Sequence, residues 1–184
     1  MCATLRRCRR CNLVLEYACQ WGSNEHRPVG RFNHWNVRKT PGWFLCFKSH
    51  FHFCTWLPPQ ALRAAGCGTV IAVDLEQDKL DLALKLGADY GLLADKVDVV
   101  REVQKLTGGR GTNLAVEVVG NTAAVTTAIG SLRKGGALTI VGNLAATVKF
   151  PLQEAVTRQI RINGSCSSCG EYPACLDMIA RGTV

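Results

Sequence analysis

No run of apolar residues in this sequence of 184 residues approaches the roughly 20 that a membrane-spanning helix requires. No secretory core follows the amino terminus, because the stretch from Asn12 to Ala18 is short and interrupted by Glu16. The Arg-rich, acid-poor start has the charge of a mitochondrial transit peptide but neither its serine enrichment nor a clear amphipathic repeat. No internal repeat of fixed period is present. These absences lead us to expect a soluble, cytoplasmic protein with mostly reduced thiols and no membrane partner.

Acidic residues are scarce where basic ones are dense. Residues 1–60 hold nine Lys/Arg against only Glu16 and Glu25, a net +7, whereas residues 61–184 hold 13 against 12, a net +1. The first third also holds all four Trp, all four His, five of six Phe and six of ten Cys, so two kinds of sequence meet near Pro58-Pro59. The cluster Arg6-Arg7-Cys8-Arg9-Arg10 could attract nucleic acid or an anionic surface, but no reading module accompanies it and no specific nucleic-acid partner is expected. Between Met1 and Gln60 there is no sustained helical or strand period, only short apolar bursts such as Trp43-Phe44-Leu45. Local preferences there conflict, which predicts an irregular basic segment over 1–60 and a folded domain over 61–184.

From Ala61 onward the pattern is regular. Thr69 to Val73 is a β-branched run with no charge, as in a parallel strand buried on both faces, and Asp74 ends it. A carboxylate at that end of a strand points to the crevice where open α/β sheets bind ligands; it suits both ribose hydroxyls of an adenosine and repels a 2′-phosphate, favouring NAD over NADP. The alternative is that Asp74 caps the helix starting near Glu76. Further strands are predicted over Tyr90–Ala94, Leu114–Val119, Ala137–Val141 and Ile160–Asn163. Helices are predicted around Leu80-Ala83-Leu84, Val99-Val103-Leu106, Val125-Ala128-Ile129-Leu132 and Tyr172-Leu176-Ile179, with a short one opened by Pro151. Strands alternating with helices in this way predict an α/β fold with a doubly wound parallel sheet. Glu117, inside an apolar run, is either a carboxylate facing the crevice or a buried acid satisfied by backbone or water, and the second is favoured.

The ordered set Asp74, Lys79, Leu86-Gly87-Ala88-Asp89, Thr107-Gly-Gly-Arg-Gly111, Val116-Glu-Val-Val-Gly120, Gly135-Gly136, Val141-Gly142 and Asn163-Gly164-Ser165 closely resembles the cofactor-binding domain of zinc-type medium-chain alcohol dehydrogenases, in particular the sorbitol and threonine dehydrogenase branch. The resemblance runs from about Ala61 to Val184. It implies a Rossmann-like domain and NAD as cofactor. Asp74 and Lys79 would lie at the adenosine ribose, Val118 and Val119 against the adenine, and Val141 and Gly142 near the nicotinamide. For each of these three valines a plain core role is at least as strong a reading. The resemblance also implies oxidation of an alcohol or polyol whose oxygen is polarised by a catalytic zinc held in a separate, preceding domain.

The pattern breaks upstream of Asp74. A strand, a Gly-x-Gly-x-x-Gly turn and a helix should precede it by about 20 residues, yet Lys48-Ser-His-Phe-His-Phe-Cys-Thr-Trp-Leu-Pro-Pro59 contains no glycine. Bulky His50, His52 and Thr55 would block close approach to a pyrophosphate, Pro58-Pro59 would disrupt the helix, and the central first strand is expected to be missing. No complete metal site is expected. Cys8, Cys11 and Cys19 match part of a four-cysteine zinc lobe with Leu5 where another cysteine should stand, Cys46, His50, His52 and Cys54 lack a scaffold, and Cys166, Cys169 and Cys175 read as ordinary thiols. With no catalytic residue assigned, the expectation is an incomplete dehydrogenase fragment with little or no turnover. The alternatives are a non-catalytic nucleotide-binding or homo-oligomer-forming module, or a basic zinc or nucleic-acid binding protein.

Overall fold

The computed structural model describes residues 4–6, 14–16, 40–47, 57–165 and 172–182. Strands β1 (Thr4–Arg6) and β2 (Val14–Glu16) form a small antiparallel pair. The remainder alternates as β3 (Thr40–Phe47), α1 (Leu57–Ala64), β4 (Cys67–Asp74), α2 (Gln77–Lys85), β5 (Tyr90–Leu93), α3 (Val99–Leu106), β6 (Thr112–Glu117), α4 (Thr122–Ser131), β7 (Leu132–Ile140), α5 (Leu152–Thr157), β8 (Arg161–Gly164) and α6 (Tyr172–Ala180). The last six strands make one parallel sheet in the order β5-β4-β3-β6-β7-β8. Chain order reverses between β3 and β6, which is the switch point where sheets of this kind open a ligand crevice at their carboxyl ends.

One expectation is overturned at the centre of that sheet. The strand expected to be missing is supplied by β3, which pairs with β4 through Leu45 and Ile71 and with β6 through Leu45 and Ala115. Its run Trp43 to Phe47 is apolar without alternation, as a strand buried on both faces should be, and Leu45 is fully buried. The register shifts between Thr40 and Trp43, where Pro41 and Gly42 interrupt regular pairing. Pro58-Pro59 likewise fails to disrupt α1. Both prolines fall in its first turn, where a missing N–H removes no intrahelical bond.

Helices cover both faces. Leu62 of α1 with Leu80 and Ala83 of α2 pack with Val70, Ala72, Leu114, Val116 and Ala137. Val99 and Val103 of α3 with Val125, Ala128 and Ile129 of α4 pack with Leu45, Ile71, Val73, Ala115 and Leu138 on the other face. Alternation along β4 from Val70 to Val73, along β6 from Leu114 to Val116 and between Ala137 and Leu138 of β7 feeds these two cores. Leu132, expected to close α4, instead begins β7 with extended backbone (ψ 150°), so the helix ends at Ser131. Pro151 is the N-cap of α5 rather than its first residue.

Candidate functional site

Register places the carboxyl ends of the strands in one row: Leu92, Val73, Phe47, Glu117, Ile140 and Gly164 stand side by side across the sheet. One step beyond that row lie Asp74, Val118 and Val141, so the sequence-derived residues share one edge. Asp74 and Val118 flank the central strand, about 10 Å apart at ladder spacing.

Asp74 is 6% exposed. Its Oδ1 accepts from the backbone N–H of Leu75 (2.7 Å) and of Glu76 (3.0 Å), and these bonds turn its carboxylate back over the strand end. The N-cap of α2 is Glu76, so Asp74 does not cap that helix. Its Oδ2 is buried without a hydrogen-bond partner among the described residues. An acceptor in that state is disfavoured unless a donor reaches it, and a ribose hydroxyl is such a donor. Lys79, on the first turns of α2, is largely buried and its Nζ lies 2.6 Å from Glu76 Oε1.

On the far side of the switch point, Val118 is buried in the core under α1 and α2, and Val141 packs against the same cluster. Val119 packs against the opposite core. The turns that follow β6 and β7 touch backbone to backbone. Gly120 has φ +80°, and a Cβ there would stand 2.5 Å from Gly142 C and Leu144 N; a Cβ on Gly142 would overlap the backbone of Val119 and Gly120. Both positions therefore require glycine, Gly120 for its conformation as well as for space. Sequence reasoning assigned Gly142 to this edge, whereas Gly120 entered only within the motif Val116-Glu-Val-Val-Gly120.

Glu117 is fully buried at the end of β6. Oε1 accepts from Val119 N–H (2.7 Å) and Gly120 N–H (2.8 Å), as the favoured sequence reading anticipated, but Oε2 has no partner among the described residues. Removal from water raises its pKa, partly opposed by the two backbone N–H bonds. The Glu117 carbonyl also accepts from Val141 N–H (2.7 Å) and Gly142 N–H (3.1 Å).

Two other motifs are structural and lie away from this edge. In Leu86-Gly-Ala-Asp89, Gly87 O accepts from Arg63 Nε (2.6 Å), and Asp89 forms an ion pair with Arg63 and accepts from Val70 N–H (2.7 Å). The motif thus ties α1 to β4. Thr107 Oγ1 donates to Val103 O (2.7 Å) and accepts from Gly111 N–H (2.8 Å), closing the turn into β6. Cys67 is buried beside Arg63, and desolvation pushes its thiol up to about 12 despite that guanidinium, so it is chemically quiet at neutral pH.

Among the described residues no group of three or more His, Cys, Asp or Glu is arranged to hold a metal. The Cys8/Cys11/Cys19, His50/His52/Cys54 and Cys166/Cys169 combinations, and the side chain of Cys46, lie outside those residues, as does the glycine-free segment 48–56; Cys175 is exposed. No described helix is long and apolar enough to cross a membrane.

Residues 59–181 match the family model for zinc-binding dehydrogenases. The chain belongs to that family. A zinc-binding dehydrogenase of the medium-chain alcohol dehydrogenase type was what the motif order implied, and similarity to individual proteins agrees. The sorbitol dehydrogenase of Bacillus subtilis is 36% identical over 126 residues, which cover 67% of this chain and 35% of that relative. An alcohol dehydrogenase of Cupriavidus necator is 39% identical over 90 residues, or 49% of this chain and 25% of the relative. Among solved structures, the alcohol dehydrogenase of Aeropyrum pernix superposes with a TM-score of 0.68 at 30% identity, covering 78% of this chain and 41% of that one. The chain thus spans about a third of the length of the curated sorbitol dehydrogenases it matches.

Proposed function

We propose that this zinc-binding dehydrogenase chain is the nicotinamide-dinucleotide-binding part of an oxidoreductase acting on a small alcohol or polyol, with NAD as its cofactor. The observation that carries the reading is the buried Oδ2 of Asp74, without a hydrogen-bond partner among the described residues, at the carboxyl edge beside a switch point. Asp74 and Lys79 would receive the ribose, Val118 and Val119 the adenine, and Val141 and Gly142 the nicotinamide end. When bound, the nicotinamide supplies a hydride acceptor; the chain's own residues bind and orient it. The described donor set does not fit a catalytic zinc, so we propose that the chain alone turns over little or no alcohol. We assign β3 to the nucleotide-binding domain and propose a cytoplasmic location.

Titration with NADH, followed by fluorescence, tests the reading. Saturable binding is expected, weaker for NADPH, and weakened about tenfold or more by Asp74→Ala through loss of charged hydrogen bonds worth roughly 1.5–3 kcal/mol. Binding that is absent, or indifferent to Asp74→Ala, rejects it. Alcohol oxidation by the isolated chain with added zinc rejects the proposed inactivity alone.

A second reading, compatible with the first, is a homo-oligomer formed at the β8 edge. β8 is an outer strand of the sheet with Ile162 exposed, and α5 presents Leu152 and Val156, each 65% exposed, nearby in the chain.

A further inference from the structure

We infer that Glu117 is a positioning residue, whose side chain and carbonyl together lock the turns Val119-Gly120 and Val141-Gly142 into one rigid lip at the carboxyl edge of the sheet. Its importance for a ligand rests on the proposed dinucleotide reading; the lock itself does not.

Three independent features converge on it. First, Glu117 sits inside a buried apolar run, with Leu114, Ala115 and Val116 before it and Val118 after it. A carboxylate in such a run is unfavourable unless its bonds are needed, and among the described residues Glu117 makes no ion pair. Second, the bonds of its side chain and carbonyl go to the two turns: Oε1 to Val119 N–H and Gly120 N–H, the carbonyl to Val141 N–H and Gly142 N–H. Third, the same atoms form the contact between the turns. A Cβ on Gly142 would collide with the backbone nitrogens of Val119 and Gly120, the donors that Glu117 Oε1 receives. Ala145 N–H adds a bond to Gly120 O (2.9 Å) across the same junction. Moving either turn therefore breaks bonds to Glu117 or opens the glycine contact. Three of the residues given to the cofactor, Val119, Val141 and Gly142, belong to this lip, so Glu117 acts on a dinucleotide through them rather than by touching it.

The test compares Glu117→Gln, which keeps an amide oxygen for the two N–H donors, with Glu117→Leu, which removes both acceptors at similar size. Amide exchange is read at Val119 and Gly120 against the strand interior at Ala115, alongside the NADH dissociation constant and a thermal melt. We expect Glu117→Leu to speed exchange at Val119 and Gly120 about tenfold or more relative to Ala115, with a smaller rise at Val141 and Gly142, and to weaken NADH at least severalfold. Glu117→Gln should restore both readouts close to the parent. Should Glu117→Leu fail to fold, Glu117→Asp, one methylene short of the donors, should show the same local exchange pattern. Unchanged exchange at Val119 and Gly120, or a loss of protection that spreads equally to Ala115, overturns the lock. Loosened turns with an unchanged NADH constant overturn the positioning role. If the parent chain binds no NADH, the proposed function fails, and exchange alone decides the lock.

Discussion

Glu117 and Asp74 show how much a single carboxylate depends on its surroundings. Both are buried at strand ends on the same edge, and both have one oxygen held by backbone N–H groups and one without a protein partner among the described residues. For Glu117, desolvation outweighs its two backbone bonds and raises the pKa above the ordinary 4.5. The sign of the resulting pH dependence follows from proton counting. Below pH 4.5 the group is protonated in both states; as pH rises, the unfolded chain releases this proton first, and the native state loses stability until its own raised pKa is passed. We therefore expect the urea midpoint of the parent, relative to Glu117→Gln, to fall as pH is raised from about 4.5 through that window. A difference that grows with pH would show instead that the two N–H bonds dominate. The choice between crevice and core for Glu117 was legible in its apolar context. That it binds the following turn was not, because the bond depends on how the chain bends after Val118.

At the scale of the element, β3 separates what a local pattern can show from what it cannot. Its apolar burst was visible, but the surrounding residues supply no periodicity by which to recognise a strand. Pairing on both sides identifies it, since Leu45 meets Ile71 on one neighbour and Ala115 on the other. If the strand holds that place, Leu45→Ala should lower stability by about 2–5 kcal/mol in urea denaturation. Leu152→Ala, on the exposed face of α5, should change it by no more than about 0.5 kcal/mol. Equal and small effects would mean that β3 is not a structural strand. The elements from β4 onward were mostly readable, because buried parallel strands appear as short apolar runs and amphipathic helices as a 3.6-residue period. Leu132 was misassigned for the same reason: an apolar residue at the join continues either pattern, and only its extended backbone decides.

For the whole molecule, the six-stranded sheet ends at β5 on one side and β8 on the other. Backbone groups along an outer strand can pair with another chain, and β8 carries the exposed Ile162, with Leu152 and Val156 exposed on the preceding α5. Sedimentation should show a concentration-dependent dimer that Ile162→Lys shifts to monomer; a monomer at all concentrations rejects the second reading. The sequence by itself determined the alternation of strands and helices, the zinc-binding dehydrogenase family and the acid at the end of β4, since each is written in residues close together in the chain. Only the tertiary structure decided which strand stands at the centre, that Asp74 leaves one oxygen without a partner among the described residues, and that the glycine turns after β6 and β7 lock against Glu117. Those features arise from neighbours contributed by different crossovers, whose contact depends on sheet order and register, and a local pattern of residues carries neither.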